Sequence, residues 1–254
     1  MKQLQPFLVM LGFFLFWEAA VDLFQIPNFI LPRPSAIVLE LASDPGWYAM
    51  HAYYTVGACL LGFAVATVVG IAAAVGIVYS RVLETTLFTL LVSLNSIPKI
   101  ALAPLFIIWM GTNVSSKVAI SALIALFSVV IDTVLGLRSV DADALAMAQS
   151  MRATPFQTLV KIRFPAALPS IFAGLKVAIS LALVGAIAGE FVSSQVGLGY
   201  VILTAQGNFQ ITRVFAAVVL LGALGTALFY LILLAERLVV PWHVSLRGGH
   251  GSGH

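Results

Sequence analysis

Few side chains in this sequence of 254 residues could take part in chemistry, and their spacing forms no catalytic pattern. The single cysteine, Cys59, lies in an apolar run, which excludes a disulfide framework and a metal site built from several cysteines. The sequence contains neither a GxxxxGK(S/T) phosphate-binding loop nor an HExxH zinc motif, and we place none of its four histidines inside an apolar run. Because catalysis requires a nucleophile with a base, or a metal centre, we predict that this chain is not an enzyme.

Two ionisable residues within apolar sequence are candidates for another role. Lys99 follows the sequence NSIP at 95–98, which interrupts the third apolar run, and it is the only cation that we place deep inside such a run. A helix broken within a membrane is tolerated where it meets protein or a water-filled path. We therefore predict that Asn95, Ser96 and Lys99 line a translocation path, with snorkelling or packing of Lys99 as the alternative. Glu190, at the end of the fifth run, is a further candidate for the path or its gate.

A polar segment at 138–169 lies between the fourth and fifth apolar runs and carries four of the thirteen lysines and arginines. Its pattern predicts two short helices, of which the first is capped by Asp141. The second begins with a capping box, in which Thr154 is the N-cap and Gln157 the third helical residue. Methionines and aromatic residues in a segment outside the apolar runs indicate a docking site for a partner protein.

The prolines of the polar segment predict where its second helix ends. Pro165 and Pro169 lack the backbone N–H that a helix interior needs, so we expect them to end that helix and to begin the next apolar run.

The elements that position these residues follow from composition. The chain is 61% hydrophobic and 9% charged, against about 25% charged residues in soluble domains. A membrane-spanning helix needs about 20 apolar residues. The runs that meet this need lie at 6–24, 52–79, 85–110, 117–137, 170–191 and 214–234. The sequence therefore predicts an all-α, polytopic membrane protein with about six transmembrane helices.

One transmembrane domain is predicted over 1–247, with its core at 31–242 and a tail at 248–254 that we expect to be disordered. Small residues at 62, 66, 70 and 74 recur every four positions, which permits close packing between helices.

Charge predicts the orientation of the spans. With the polar segment in the cytoplasm, eight lysines and arginines lie inside and three lie outside or at the outer boundary. This asymmetry fits the positive-inside rule and places both termini in the cytoplasm. We read the basic composition as a topology signal, so nucleic acid is not an expected partner.

Aligned on its prolines, the polar segment resembles the cytoplasmic EAA signature of ABC-importer permeases: Glu-Ala-Ala, three residues, Gly, nine residues and Ile-x-Leu-Pro. Ala148, Ile162 and Pro165 match this signature. The signature's Glu, first Ala, Gly and Leu are replaced, in that order, by Ala146, Met147, Arg152 and Phe164. The sequences LPRPS at 31–35, IPK at 97–99, ALAPL at 101–105, GLRSVD at 136–141, FPAALPSIFAG at 164–174 and GLG at 197–199 are similar to the nitrate/sulfonate/taurine branch.

This resemblance implies a type I importer permease in the bacterial inner membrane. The chain would form a homodimer, receive substrate from an extracytoplasmic binding protein, and bind two ATPase subunits. The chain itself would bind no cofactor, since ATP and Mg²⁺ would be bound by the partner ATPase. The ATPase-docking residues, which form a coupling helix, would be Ala146, Met147, Ala148, Met151, Arg152, Thr154 and Phe156.

The resemblance leaves the substrate open. It implies a small anion or organic nutrient of the nitrate, sulfonate, taurine or aromatic-acid type, with a thiamine-precursor pyrimidine or a riboflavin-like compound as the alternative. A stand-alone secondary transporter or channel, or a membrane scaffold, is the competing class, and neither would carry a stoichiometric ATPase.

Overall fold

The computed structural model describes residues 5–241, apart from the side chains of residues 5–7, 88, 92 and 94. Every element in this part of the chain is helical, which confirms the predicted all-α class. The α-helices are α1 Gln5–Leu23, α2 Pro34–Ser43, α3 Pro45–Tyr79, α4 Arg81–Leu83, α5 Thr89–Asn95, α6 Ala103–Met110, α7 Val114–Arg138, α8 Ala142–Ser150, α9 Pro155–Thr158, α10 Phe164–Ser193, α11 Leu198–Gly207 and α12 Ile211–Val239. The predicted tail at 248–254 lies outside the described residues.

Four helical stretches are long and apolar enough to cross a membrane: Pro45–Tyr79, Val114–Arg138, Pro155–Ser193 and Ile211–Val239. They correspond to the predicted second, fourth, fifth and sixth spans. The first predicted span is the 19-residue helix α1.

The third predicted span is broken, as its sequence indicates. Helix α5 ends at Asn95, a 3₁₀ turn follows at Lys99–Leu102, and α6 begins at Ala103. Pro98 and Pro104 lie at the two changes of helix type because neither can donate the hydrogen bond that a continuous α-helix needs.

The described chain divides into two compact units. The first contains the residues up to Val56 together with Glu190–Leu224. Its helices are joined by ion pairs from Arg33 to Asp22 at 2.6 Å and from Arg213 to Glu40 at 2.8 Å. This unit therefore holds its helices together through polar contacts as well as apolar ones.

The second unit contains Gly57–Gly189 and the residues from Gly225 onward. Its helices approach closely at small residues, as predicted. A Cβ added to Gly62 would lie 2.3 Å from the Ser121 Oγ, and one added to Gly185 would lie 2.6 Å from the Ser121 Cα. Ser121 is thus enclosed by α3 and α10, and its hydroxyl donates to the Ala182 carbonyl at 2.8 Å.

The predicted helix end at Pro165 and Pro169 is wrong. Helical backbone continues from Pro155 to Ser193, with Pro169 inside α10. A π-helical turn at Leu159–Arg163 precedes the prolines. Its wider hydrogen-bonding ring changes the pairing of the backbone just where a proline would otherwise leave a carbonyl without a donor.

Candidate functional site

The polar segment folds into the two short helices that its sequence predicts. Asp141 caps α8 by accepting a hydrogen bond from the Asp143 N–H at 3.0 Å. The capping box at α9 is confirmed in both directions: the Gln157 N–H donates to the Thr154 Oγ1 at 3.2 Å, and the Thr154 N–H donates to the Gln157 Oε1 at 2.9 Å. Both helices are therefore fixed at their N-termini by local side chains.

The predicted docking residues lie mostly on the surface of the second unit. The large side chains are open to solvent, at 62% for Met147, 74% for Met151 and 72% for Phe156. Ala146, Arg152 and Thr154 are exposed as well, whereas Ala148 is buried. The two helices thus present three large, apolar side chains, while Ala148 packs against the rest of the unit.

Arg152 has a left-handed backbone conformation, with φ of 55°. It follows α8 in a Schellman arrangement, in which the Ala153 N–H donates to the Ala148 carbonyl at 3.0 Å and the Arg152 N–H donates to the Gln149 carbonyl at 2.9 Å. Glycine is the usual residue at such a helix end because it has no Cβ to clash. A glycine at position 152, as in the signature, would adopt this conformation without strain, whereas Arg152 adopts it with strain.

Hydrogen bonds tie the polar segment to the ends of two long helices in the same unit. The Tyr79 hydroxyl, at the end of α3, donates to the Pro155 carbonyl at 3.2 Å. The Arg163 guanidinium donates to the Leu137 carbonyl near the end of α7 at 2.8 Å. The polar segment is thus bonded directly to the ends of α3 and α7.

Lys99 lies at the break in the third predicted span. Its ammonium donates to the Asn95 Oδ1 and sits 5.6 Å from the centre of the Phe127 ring. Asn95 and Ser96 are exposed beside it. Among residues 5–241, no carboxylate lies within ion-pair distance of Lys99, so its positive charge is balanced only by a dipole and an aromatic face.

Lys99 is not the only cation within an apolar run, so that prediction is wrong. Lys176 lies within α10, and its ammonium pairs with Glu236 of α12 at 2.9 Å. Both side chains are largely buried. The apolar run at 170–191 includes this lysine in the sequence itself, but its partner is 60 residues away along the chain.

Glu190 is enclosed within the first unit. Only 2% of it is exposed, and its carboxylate lies 2.8 Å from the Thr55 Oγ1. His51 is buried nearby, inside α3, so the prediction that no histidine lies in a spanning helix is wrong. The sequence-based start of this run, at residue 52, lies seven residues after the first residue of the helix, Pro45.

Over the described residues, no group of three or more His, Cys, Asp or Glu side chains could hold a metal ion.

Comparison with known proteins assigns the family. Residues 66–241 match the family described as the binding-protein-dependent transport system inner membrane component. This chain belongs to that permease family.

Relatives and solved structures agree with the assignment. The riboflavin transport system permease protein of Chloroflexus aurantiacus is 36% identical over 91% of this chain and 87% of its own length. A putative aliphatic sulfonates transport permease of Bacillus subtilis is 31% identical over 91% of this chain and 85% of its own length. A chain from inward-facing structures of the MetNI methionine ABC transporter has a TM-score of 0.64 at 20% identity, covering 74% of this chain and 92% of that one. The fold is therefore that of a type I importer permease.

Membership of the permease family sets the coarse role of the chain. It is a multi-pass membrane subunit of an ABC importer, and the ATPase is a separate subunit. Permeases of this family work with an ATPase and a substrate-binding protein.

Proposed function

We propose that this permease forms the substrate path of its importer and is driven by an ATPase that docks on α8 and α9. The observation that carries the proposal is the exposure of Met147, Met151 and Phe156 on a segment hydrogen-bonded to α3 and α7. Apolar side chains this exposed, on a segment outside the apolar runs, suit a groove on a partner. Methionine is flexible and polarizable, so it fills such a groove well.

ATP binding and hydrolysis in the partner would move the polar segment, and the contacts of Tyr79 and Arg163 would carry that movement to the ends of α3 and α7. The complex would contain two copies of this chain and two ATPase subunits in the inner membrane. A binding protein would deliver substrate at the outer face, and both termini would be cytoplasmic, as the charge asymmetry supports.

Purification of the tagged chain in mild detergent, from cells that express its whole transport system, tests this role. We expect one ATPase subunit for each permease copy and hydrolysis of ATP that the loaded binding protein stimulates. A chain that transports substrate without any ATPase would instead be a secondary transporter or channel.

The substrate that we favour is a small anion. Lys99, exposed Asn95 and Ser96 lie together at a helix break, and the lysine has no carboxylate partner among the described residues. Two such ammonium groups in a dimer would raise the positive potential of a shared path. The sulfonate permease relative supports this class of substrate.

A riboflavin-like compound is the second candidate, because the riboflavin permease relative has the higher identity, 36% against 31%. Uptake by Lys99→Ala and Lys99→Arg variants separates the two. For an anion, we expect Lys99→Ala to lose most uptake and Lys99→Arg to retain it, while both assemble with the ATPase. For a neutral ring system, Lys99→Ala should transport normally. If Lys99→Ala leaves the uptake of both an anion and a riboflavin-like compound unchanged, the role of Lys99 is packing against Phe127.

A further inference from the structure

Side chains from elsewhere in the first unit cap the N-terminus of helix α11. Three successive backbone N–H groups each meet a different acceptor. The Gly197 N–H donates to the His51 Nδ1 at 2.9 Å, the Leu198 N–H to the Thr55 Oγ1 at 2.8 Å, and the Gly199 N–H to the Glu190 Oε2 at 2.8 Å. A helix leaves its first N–H groups without internal partners, so these side chains supply an N-terminal cap from distant sequence.

The three acceptors are buried and connected to each other. Exposure is 3% for His51, 0% for Thr55 and 2% for Glu190. The Thr55 hydroxyl lies 2.8 Å from the Glu190 Oε1 while its oxygen accepts from Leu198, so it joins the carboxylate to the helix. The carboxylate therefore lies at the positive end of the helix dipole. The His51 Nδ1 accepts a hydrogen bond, so the neutral ring carries its own proton on Nε2.

Gly197 allows the loop to approach the carboxylate. Its φ is 107°, which side-chain-bearing residues rarely adopt, and a Cβ there would lie 2.2 Å from the Glu190 Oε1. No conservative substitution at 197 preserves this approach, so the loop conformation and the buried acid depend on each other.

We propose that His51, Thr55 and Glu190 are positioning residues that lock α11 to the N-terminal part of α3, so that the two move as one body while the importer changes state. The inference rests on the proposed transport function. Separating α11 from α3 would take the Gly197 and Leu198 N–H groups away from their acceptors on His51 and Thr55, and the loss of buried hydrogen bonds is severe in apolar surroundings. Conformational change must therefore occur at other places, and α11 does not swing as an independent gate.

Spin labels on the two elements test the lock in the complete transporter with its ATPase. Tyr53 of α3 and Leu203 of α11 are exposed, and each would be replaced by cysteine in a Cys59→Ala background. Because the proposed complex contains two copies of this chain, the labelled chain is diluted with unlabelled chain so that distances between copies are rare. We expect one narrow Tyr53–Leu203 distance distribution, by pulsed electron paramagnetic resonance, that is the same without nucleotide and with ATP and vanadate. A mean distance that shifts between these states in an ATP-hydrolysing complex overturns the lock and leaves the proposed function intact.

A matched pair of variants tests which side chains make the lock. Thr55→Val keeps the size of the side chain but removes the hydroxyl, whereas Thr55→Ser keeps the hydroxyl. We expect Thr55→Val to broaden the distance distribution and to lower the maximal uptake rate, and Thr55→Ser to match the parent in both. A Thr55→Val protein with the parent's narrow distribution contradicts the proposal. If Thr55→Val does not assemble, the distance comparison between states in the parent protein still decides the question.

Discussion

At the scale of single residues, two of the ten acidic side chains accept hydrogen bonds from the N-terminus of a helix other than the one that contains them. Glu18 of α1 accepts from the Ser35 N–H at 3.0 Å and from the Ser35 hydroxyl at 2.6 Å, at the start of α2. Glu190 does the same for α11 through the Gly199 N–H. The N-cap residue of α2, Arg33, makes no side-chain capping bond, so the distant carboxylate replaces it. These two acids are thus placed where a helix dipole stabilises negative charge.

Arg152→Gly should stabilise the protein. A left-handed conformation costs a residue with a Cβ about 1–2 kcal/mol, and glycine loses about 0.5–1 kcal/mol through the greater freedom of the unfolded chain. The relief of strain is the larger of these two effects, so we expect a net gain of about 0.5–1 kcal/mol. Thermal unfolding of the purified protein in detergent should show a midpoint higher by about 1–4 °C.

Arg152→Ala is the matched control for this effect. It removes the guanidinium but keeps the Cβ, so the strain at φ of 55° remains and the midpoint should not rise. If alanine and glycine raised the midpoint equally, the arginine charge, and not the backbone conformation, would be the source of the change.

At the scale of elements, the sequence predicts the helix caps and helix ends that depend on residues close together in the chain. The capping box of Thr154 and Gln157 depends on residues three positions apart, and its pattern is sufficient. The end of α5 at Asn95 is likewise encoded by the proline three residues later. Pro165 misleads because a π-helical turn directly precedes it, and Pro169 because α10 continues through it; no residue pattern in the sequence indicates either feature.

Contacts of the candidate site were less predictable from the sequence where the two residues lie far apart along the chain. Lys176 and Glu236 form a buried ion pair across 60 residues, and Thr55 reaches Glu190 across 135. Sequence marks such residues only as polar groups in apolar surroundings. Their partners depend on how the helices pack, which spacing within one helix does not specify.

Met147→Glu should release the ATPase. A methionine that is buried in a partner's groove contributes about 1.5–3 kcal/mol through apolar contact. The glutamate loses this contribution and also places an unpaired charge in the groove. We expect the ATPase to be lost from the detergent-purified complex, measured as the ratio of the two subunits on a gel.

Met147→Leu keeps the apolar contact and should retain the ATPase at the parental ratio. The side chain is exposed in the chain itself, so neither substitution should alter the folding of the permease. A Met147→Glu protein that kept both its ATPase and its full transport rate would show that α8 is not the coupling element.

At the scale of the whole molecule, the basic residues are unevenly distributed along the sequence. If the polar segment is inside, the cytoplasmic basic residues would be Lys2, Arg81, Arg138, Arg152, Lys161, Arg163, Arg237 and Arg247. Arg33, Lys117 and Arg213 would be outside or at the outer boundary. Lys99 and Lys176 lie within apolar runs and carry no topology signal. The asymmetry therefore rests on loops and helix ends, which are the positions that the positive-inside rule concerns.

Cysteine labelling in intact cells tests this orientation. Cys59 is buried, so it should contribute little background with a membrane-impermeant maleimide. Asn28 and Asn208 are exposed in the loops after α1 and α11, and cysteine at either position should react from outside. Ser150→Cys, at the end of α8, should react only after the membrane is permeabilised, in cells that express the permease without its ATPase. Reaction of Ser150→Cys in intact cells would place the polar segment outside, and a segment outside the cell could not receive a cytoplasmic ATPase.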